Sequence, residues 1–349
     1  MSPLKDMLEK KQDEAFSKLR GLRRPKVEEV FRRLLYLGPE DFVVEGYKRS
    51  RPAVAFNPGA CVRDRELLIL PRFIFDYYKY VSSVGLASLK LDEVLEGHVE
   101  TPVKARIILW PLKLWEFLGC EDPRVFRAGD TYYVLYTGKG YFLEKGGYVR
   151  VDVLGLAEYD ASWRLKRRGY FTITGEGGEF VPKSNKDSAF LRVSGGECTM
   201  LTRPEVKGKR ICWRGRGNVN ELKIRADTLE PVMVFEDWEL KVGWSTNAVK
   251  LSSNEYVVGW HGVVLRDYSY RDGLAVVNEE GELLAVSDYI LSPSGIVEEY
   301  GDRPLVIFGD GLVLYKEYLL WIGGISDYSI AVFAAELDKA LEKLRWLAP

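Results

Sequence analysis

The sequence has little histidine, little glutamine and no paired cysteines. Only 2 of the 349 residues are histidine. The four cysteines form no C-x-x-C pair, so a metal site is not expected, because structural zinc sites use closely spaced Cys and His ligands. Cys198 and Cys212 fall on one predicted hairpin, where two buried thiols are favoured over a disulfide. The single glutamine, Gln12, beside many Glu, Lys and Arg residues is typical of proteins from thermophiles.

The sequence also lacks a long apolar run and an excess of either charge. No segment reaches the roughly 20 apolar residues that a membrane helix needs. Residues 1–22 are charged throughout, without the apolar centre of a secretory signal. Lys and Arg total 50 against 51 for Asp and Glu, which argues against a broad nucleic-acid-binding face, since such a face is basic. We therefore expect a cytoplasmic protein with no membrane or nucleic-acid partner.

The chain does contain a repeat. Five segments share a polar start, a strand, a Gly/Asp/Ser turn and an apolar strand. Their starts, Asn57, Asp122, Asp187 and Asn247, are spaced by 65, 65 and 60 residues, and a further 60 leads to Ile307. Units of this length suit four-stranded propeller blades. The sequence therefore predicts an all-β, five-bladed β-propeller.

Helical spacing of apolar residues appears only near the two ends of the chain. It covers Pro3–Arg20 and Pro25–Leu35 at one end and Ala334–Leu347 at the other. We expect the first helix to serve for packing or for contact in a homo-oligomer. The predicted organisation is an N-terminal helical extension over residues 1–40, the propeller over 41–335 and a C-terminal helix over 336–349.

Equivalent strands of a propeller converge on its central funnel. The strand starts should therefore form one polar ring, and the ends of the second strands a neighbouring ring of Arg72, Thr137, Arg203 and His261. Trp244 and Trp260 could stack on a sugar ring, although a buried propeller tryptophan is the commoner outcome. These observations predict a polar funnel that binds a sugar.

The run Glu121-Asp122-Pro123-Arg124, followed by Tyr132–Thr137, resembles the signature of glycoside hydrolase family 130, which contains mannoside phosphorylases and related hydrolases. Further stretches resemble that family in the same order: Phe56–Ala60 with Leu70–Arg72, Lys186–Ala189, Thr202–Pro204, Trp260–Gly262 with Tyr270–Gly273, and Gly323–Asp327. The resemblance spans about residues 56–335. It implies a five-bladed propeller, in agreement with the repeat count.

Three departures from the family pattern bear on the reaction type. Thr202 stands where the family has His, Val153 where it usually has Arg, and Val242–Asn247 where a Gly-Pro-Pro run is expected. In the family these parts hold phosphate or the second sugar. Inverting phosphorolysis, inverting hydrolysis and a propeller that binds a glycan or a protein without catalysis therefore remain open.

The resemblance implies that Asp122 is the general acid. Burial beside Glu121 is expected to raise the pKa of Asp122, as suits a proton donor. The alternative is a turn aspartate at a strand start. A phosphorylase also needs cations that hold phosphate. The candidates are Lys186, Arg203 and His261, with Tyr270 and Arg271 near the same mouth, although Lys186 and Arg203 could instead bridge Asp187 and Asp122.

The remaining candidates are expected to bind the sugar hydroxyls. They are Asn57, Arg72, Glu121, Asp187, Asn247 and Asp327. The sequence thus predicts an inverting phosphorylase that acts on a β-mannoside or a similar short glycoside. Inorganic phosphate is the expected co-substrate, and neither a metal nor an organic cofactor is expected.

Overall fold

The repeat units form the antiparallel sheets of a five-bladed β-propeller in this computed structural model, which describes residues 3–347. Blade 1 contains Val54–Arg63, Glu66–Ile74, Ser82–Lys90 and Val103–Leu109, with Phe42–Glu45 parallel to its last strand. Blade 2 contains Gly119–Ala128, Thr131–Glu144, Gly147–Tyr159 and Leu165–Tyr170. The predicted all-β propeller is confirmed.

Blade 3 contains Asn185–Ser194, Glu197–Val206, Cys212–Asn218 and Glu230–Met233, with Thr172–Gly175, Gly178–Phe180, Lys209–Arg210 and Lys223–Arg225 at its edges. Blade 4 contains Glu239–Trp244 and Val249–Lys250 as one interrupted strand, then Glu255–Val264, Tyr270–Asn278, Leu283–Ser287 and Leu344–Trp346. Blade 5 contains Ile307–Tyr315, Tyr318–Ile325, Ser329–Glu336 and Arg32–Leu37. We call the first strand of each blade its inner strand.

The second strands are buried along nearly their whole length because blades cover both of their faces. In Glu66–Ile74, Leu67 and Ile69 pack in a cluster shared with blade 5, whereas Leu68 and Leu70 pack in a cluster shared with blade 2. A buried leucine or isoleucine of this kind stabilises the fold by about 1.5–3 kcal/mol. Continuous apolar runs in the second strands are therefore what the stacking of blades requires.

A bulge recurs at the same point of the first three inner strands. Asn57, Asp122 and Asp187 have φ angles of 42°, 51° and 53°, and the pairing register shifts beside each of them. Asn and Asp tolerate this left-handed conformation better than other side chains do. Close packing of the inner strands accompanies the bulges: a Cβ at Gly59 would lie 2.4 Å from the carbonyl oxygen of Pro123. The local backbone thus explains the repeated Asn and Asp residues.

The ring is completed by a strand from the other end of the chain. Arg32–Leu37 pairs with Ser329–Glu336 and so forms the outer strand of blade 5. The backbone N–H of Ala55 in blade 1 donates to the carbonyl of Tyr328 at 3.1 Å. Blade 5 therefore contacts blade 1 directly.

Two of the three predicted helices are not formed as predicted: Pro25–Leu35 contains no helix, and only part of Ala334–Leu347 is helical. Residues 27–30 run alongside blade 4, where the backbone N–H groups of Glu28 and Val30 donate to the carbonyls of Tyr289 and Ile290. The next element along the chain is the strand Arg32–Leu37. At the other end the strands Ser329–Glu336 and Leu344–Trp346 leave only Leu337–Leu341 as helix. Pairing with distant strands overrides the local helical pattern at both ends.

The first helix, Pro3–Lys18, is present and packs on blade 3. Leu4, Leu8 and Ala15 are buried, and Gln12 Nε2 donates to the Val206 carbonyl at 3.0 Å. Its apolar face is thus covered by its own chain, and the homo-oligomer contact stays a prediction. The remaining short helices are Leu91–Leu95 and Ile296–Glu299, with 3-10 turns at Pro39–Asp41, Leu114–Glu116 and Ala226–Thr228.

Three further observations bear on the sequence analysis. Within residues 3–347, no helix is long and apolar enough to cross a bilayer. The thiols of Cys198 and Cys212 are free and buried. Trp244 and Trp260 are completely buried, and their indole N–H groups donate to backbone carbonyls, so neither tryptophan is placed to stack on a sugar.

Candidate functional site

A polar cavity of about 240 Å³ is lined by inner-strand residues from all five blades. The structure brings most of the predicted site residues together there. Those lining the cavity are Asn57, Arg72, Glu121, Asp122, Lys186, Asp187, Arg203, His261, Tyr270 and Asp327. Because all five blades supply these side chains, the cavity exists only in the assembled ring.

Two predicted residues lie elsewhere. Asn247 donates through Nδ2 to the Leu312 carbonyl at 2.9 Å and accepts from the Leu312 N–H at 2.8 Å, which ties blade 4 to blade 5. Arg271 donates to Asp267 at 3.0 Å and to Ser269 at 3.0 Å. Neither side chain lines the cavity, and each has a structural partner instead.

The carboxylate of Asp122 is held by cations. Its Oδ1 accepts from Asn57 Nδ2 and from Arg72 Nη1, both at 3.0 Å. Burial alone would raise the pKa of Asp122, but Arg72, Arg124 and Lys186, with the Asn57 hydrogen bond, outweigh it and lower the pKa. The expected upward shift is therefore wrong, and Asp122 is ionised at neutral pH.

Glu121 lies beside Asp122 and is also paired. It accepts from Arg72 Nη2 at 2.8 Å and lies 3.1 Å from the ammonium of Lys139. The ammonium of Lys186 lies 3.3 Å from Asp152 and 4.0 Å from Glu121. Lys186 thus bridges two carboxylates of blade 2, Asp152 and Glu121, instead of Asp187 or Asp122, the partners considered from the sequence.

A second buried ionic network involves Asp187. It pairs with Arg203, and Arg124 Nη2 lies 3.3 Å from it. Arg124 also lies 2.7 Å from Asp310 and donates to the Asp122 carbonyl at 2.7 Å. Burial raises the pKa of Asp310 well above its usual range, although Arg124 opposes that shift. Arg124 therefore links the inner strands of blades 2, 3 and 5.

Two cations of the cavity have no carboxylate partner. Among the described residues, no carboxylate oxygen lies within 4.0 Å of the Lys241 ammonium or of the Arg303 guanidinium, whereas Arg210 pairs with Glu205 at 3.0 Å. Lys241 donates to the hydroxyl of Tyr270 at 2.5 Å, and the Arg303 guanidinium lies 4.6 Å from the centre of the same ring. Burial and then the charge of Arg203 lower the pKa of Lys241 to about 7.

His261 is not one of the cations of this cavity. It is completely enclosed, and burial followed by the charges of Arg203 and Lys241 takes its pKa well below the usual value. Its imidazole is therefore neutral, so His261 is not the phosphate-holding cation expected from the sequence, and its binding of phosphate as an uncharged donor stays a prediction. Asp327 differs from the other cavity carboxylates, since it forms no ion pair with a described residue, and burial raises its pKa to about 6.

The comparisons with known proteins agree with this geometry. The family model described as beta-1,4-mannooligosaccharide phosphorylase, that of glycoside hydrolase family 130, matches residues 21–345. The chain belongs to glycoside hydrolase family 130. The resemblance seen in the sequence is thus confirmed, and the chain is a glycoside phosphorylase or hydrolase. Among curated proteins, no sequence matches it.

Solved structures share the fold at low sequence identity. Beta-1,2-mannobiose phosphorylase from Listeria innocua, in complex with beta-1,2-mannobiose, has 19% identity and a TM-score of 0.65 over 88% of this chain and 96% of that one. A putative glycoside hydrolase from Bacteroides ovatus has 18% identity and a TM-score of 0.62, covering 90% and 98%. A third structure has 15% identity and a TM-score of 0.63, over 95% of this chain and 99% of that one. Its description states that the GH130 family of mannoside phosphorylases contains glycoside hydrolases that target beta-1,2 mannosidic linkages in Candida mannan.

The departures from the family 130 pattern are neutral and buried. Val153 is fully enclosed, and the Thr202 hydroxyl donates to Asn185 Oδ1 at 3.0 Å. Lys241 and Arg303, which the sequence analysis missed, supply cavity cations from other positions. Lys241 lies in a strand next to the segment that departs from Gly-Pro-Pro, which is a weak signal, and Arg303 lies in a loop with no recognisable pattern.

Proposed function

We propose that the protein is an inverting phosphorylase of β-mannosides. In this reaction inorganic phosphate attacks the anomeric carbon, the glycosidic bond breaks, and Asp122 supplies the proton to the leaving oxygen. The products are a mannosyl phosphate of inverted configuration and a shortened saccharide. The reaction needs phosphate as a co-substrate and, as proposed, neither a metal nor an organic cofactor.

The observation that carries this proposal is the pair of unpartnered cations. Lys241 and Arg303 flank Tyr270 in the cavity without a carboxylate to neutralise them. Lys241 is half-buried and Arg303 is exposed, and two neighbouring cations repel each other, a cost that an anionic ligand relieves through charge-assisted hydrogen bonds. A neutral sugar does not require them. Phosphate is the anionic substrate that a glycoside phosphorylase uses.

Phosphate binding also bears on the protonation of Asp122. Arg72 and the neighbouring cations keep this carboxyl ionised. A phosphate dianion held by Lys241 and Arg303 adds negative charge to the same cavity and therefore raises the pKa of Asp122 toward that of a proton donor. The acid thus becomes competent only when phosphate is bound. We assign the sugar hydroxyls to Asn57, Arg72 and Asp327, which line the same cavity.

The test is a product analysis with β-1,4- and β-1,2-linked mannobiose and mannotriose, with and without inorganic phosphate. We expect turnover that requires phosphate and a mannosyl phosphate signal by ³¹P NMR. Arg303→Ala should raise the KM for phosphate, whereas Arg266→Ala, which removes an exposed arginine outside the cavity, should not. Full turnover to free mannose in phosphate-free buffer would refute phosphorolysis.

Hydrolysis is the second candidate, and Asp327 favours it. Inverting hydrolysis needs a carboxylate base that activates water on the face opposite the acid. Asp327 is a cavity carboxylate without an ionic partner among the described residues, and with a pKa of about 6 it is ionised at neutral pH. If hydrolysis is the reaction, Asp327→Asn should abolish phosphate-independent turnover, and ¹⁸O from labelled water should appear in the released mannose.

A further inference from the structure

A buried chain of polar side chains leads from the cavity into blade 4. His261 lines the cavity, and its Nδ1 lies 3.0 Å from Ser245 Oγ. Ser245 Oγ lies 3.4 Å from Asp272 Oδ1, and Asp272 is directly opposite His261 on the neighbouring strand. All three side chains are almost completely enclosed. The chain therefore connects the substrate cavity with a carboxyl group that no substrate reaches.

Asp272 has no cation beside it. Among the described residues, no Lys, Arg or His nitrogen lies within 4.0 Å of its carboxyl, and its Oδ2 has no hydrogen-bond partner. Burial raises its pKa well above the usual range. A carboxyl group in such surroundings keeps its proton, because an unpaired buried charge is costly. An ionised carboxylate would accept from Ser245 Oγ at this 3.4 Å contact, whereas a protonated Asp272 can donate to it.

The imidazole of His261 is fixed in one orientation by its packing. Tyr270 stacks on it with ring centres 5.6 Å apart, and the edge of Phe308 meets it at 4.9 Å. A Cβ at Gly243 would lie only 2.6 Å from Cε1, so the ring fills the space that this glycine leaves. Nε2 consequently stays on the cavity side, 3.9 Å from Asp187 Oδ2.

We infer that Asp272, acting through Ser245, holds His261 as the neutral tautomer that carries its proton on Nε2. The Asp272 O–H donates to Ser245 Oγ, the Ser245 O–H donates to His261 Nδ1, and Nε2–H is presented to the cavity. Asp272 is thus a positioning residue, and no proton is transferred along the chain. The inference rests on the proposed function in one respect: the group that accepts the hydrogen bond from His261 Nε2–H is an oxygen of the sugar or of phosphate.

The tautomer matters because the two neutral forms of histidine present opposite groups at Nε2. With Nε2–H, the cavity gains a donor for a substrate oxygen without another positive charge. The groups that face the ring are the cations Arg203, Lys241, Arg124 and Arg303 and the carboxylate of Asp187. Four cations against one carboxylate disfavour an imidazolium, so a neutral donor suits this position.

The test uses the fact that the chain has only two histidines, His98 and His261. Two-bond ¹H–¹⁵N correlation spectra of protein labelled at histidine should show two imidazoles. We expect the enclosed His261 to be protonated at Nε2 alone from pH 6 to pH 9, while the exposed His98 gives the second set of signals. A proton on Nδ1 of His261, or titration of His261 between pH 6 and 8, would overturn the inference.

Two variants separate positioning from a merely structural role. Asp272→Asn keeps a donor of the same size, so the Nε2–H signature of His261 should persist. Ser245→Ala removes the donor to Nδ1, so His261 should show a mixture of tautomers. We also expect the substrate KM of Ser245→Ala to rise about two- to tenfold, the size of one neutral hydrogen bond, with a smaller change in kcat.

The outcomes differ from those that test the proposed reaction. If the parent carries the proton of His261 on Nδ1 and Asp272→Asn moves it to Nε2, Asp272 is ionised in the parent and the inference fails. If Ser245→Ala lowers the melting temperature but leaves the tautomer of His261 unchanged, the chain is structural and the inference also fails. The NMR signature needs no turnover, so a failure of phosphorolysis would leave this result intact.

Discussion

Replacement of Lys241 by methionine tests whether the unpartnered cation binds phosphate. Methionine has a similar length and keeps the packing, but it removes the ammonium that donates to Tyr270. A charge-assisted hydrogen bond contributes about 1.5–3 kcal/mol, and each 1.4 kcal/mol is a factor of ten. We therefore expect the KM for phosphate to rise about 10- to 100-fold, with little change in the KM for the saccharide.

The pH dependence gives a second and sharper measurement. Because the pKa of Lys241 is lowered to about 7, its ammonium is present at pH 6 and mostly lost at pH 8. In the parent this loss should raise the KM for phosphate about tenfold over that interval, since one pH unit above the pKa leaves about a tenth of the group protonated. Phosphate itself becomes more dianionic over the same range.

A charge-conserving variant removes that ambiguity. Lys241→Arg keeps its charge at every pH used, whereas the ionisation of phosphate is common to both proteins. The ratio of the two KM values for phosphate, measured by initial rates of phosphorolysis at pH 6, 7 and 8, therefore reports Lys241 alone. A ratio that does not change with pH, together with a normal KM in Lys241→Met, would refute the assignment of Lys241 to phosphate.

Three further predictions concern other parts of the molecule. Asp122→Asn should lower kcat on mannobiose about 10²- to 10⁴-fold, the range for loss of general acid catalysis, whereas Asp64→Asn, at an exposed turn with a φ of 58°, should not. Asn247→Ala should destabilise the fold by about 1–3 kcal/mol in urea denaturation, because it leaves the backbone of Leu312 unpaired, without changing the KM for either substrate. Arg23→Met should cost about 3–5 kcal/mol in the same assay, since it leaves the buried carboxylate of Glu239 without its partner; a loss below 1 kcal/mol would contradict that reasoning.

Much of the fold was predictable because the repeat has a local cause. The left-handed bulge restricts the residue type at Asn57, Asp122 and Asp187, and so the three-dimensional equivalence appears in the sequence. Blade 5 differs: its inner strand also shifts register, at Asp310, three residues beyond the position that the repeat count indicated, but Asp310 does not adopt the left-handed conformation. Asn247 has the expected residue type, but the inner strand of blade 4 is interrupted there and its side chain turns to Leu312.

The site was harder to predict, because its chemistry depends on neighbours that are distant in sequence. The pKa of Asp122 moves downward instead of upward because Arg72 and Arg124 outweigh burial. Lys241 and Arg303 fall at positions that no local rule restricts, so only the assembled ring shows that they face the same tyrosine. Arg124 belonged to a motif used for the resemblance, yet its role between three blades is visible only in the structure.

The strand Arg32–Leu37 has a consequence for the order in which the molecule is made. Synthesis from the N-terminus produces this strand before the blades, but its partner, Ser329–Glu336, emerges only after blades 1 to 3 and most of blade 4. Until then it is an unpaired edge, the kind of surface that recruits other chains. Blades 1 to 3 can form in sequence from neighbouring segments of the chain, and blade 4 then lacks only its outermost strand, Leu344–Trp346, whereas the fifth closes only by capturing a strand that was made first. The closing step of folding therefore waits until Ser329–Glu336 has been translated, and a truncation that removes residues 32–37 would leave blade 5 with a permanently open edge.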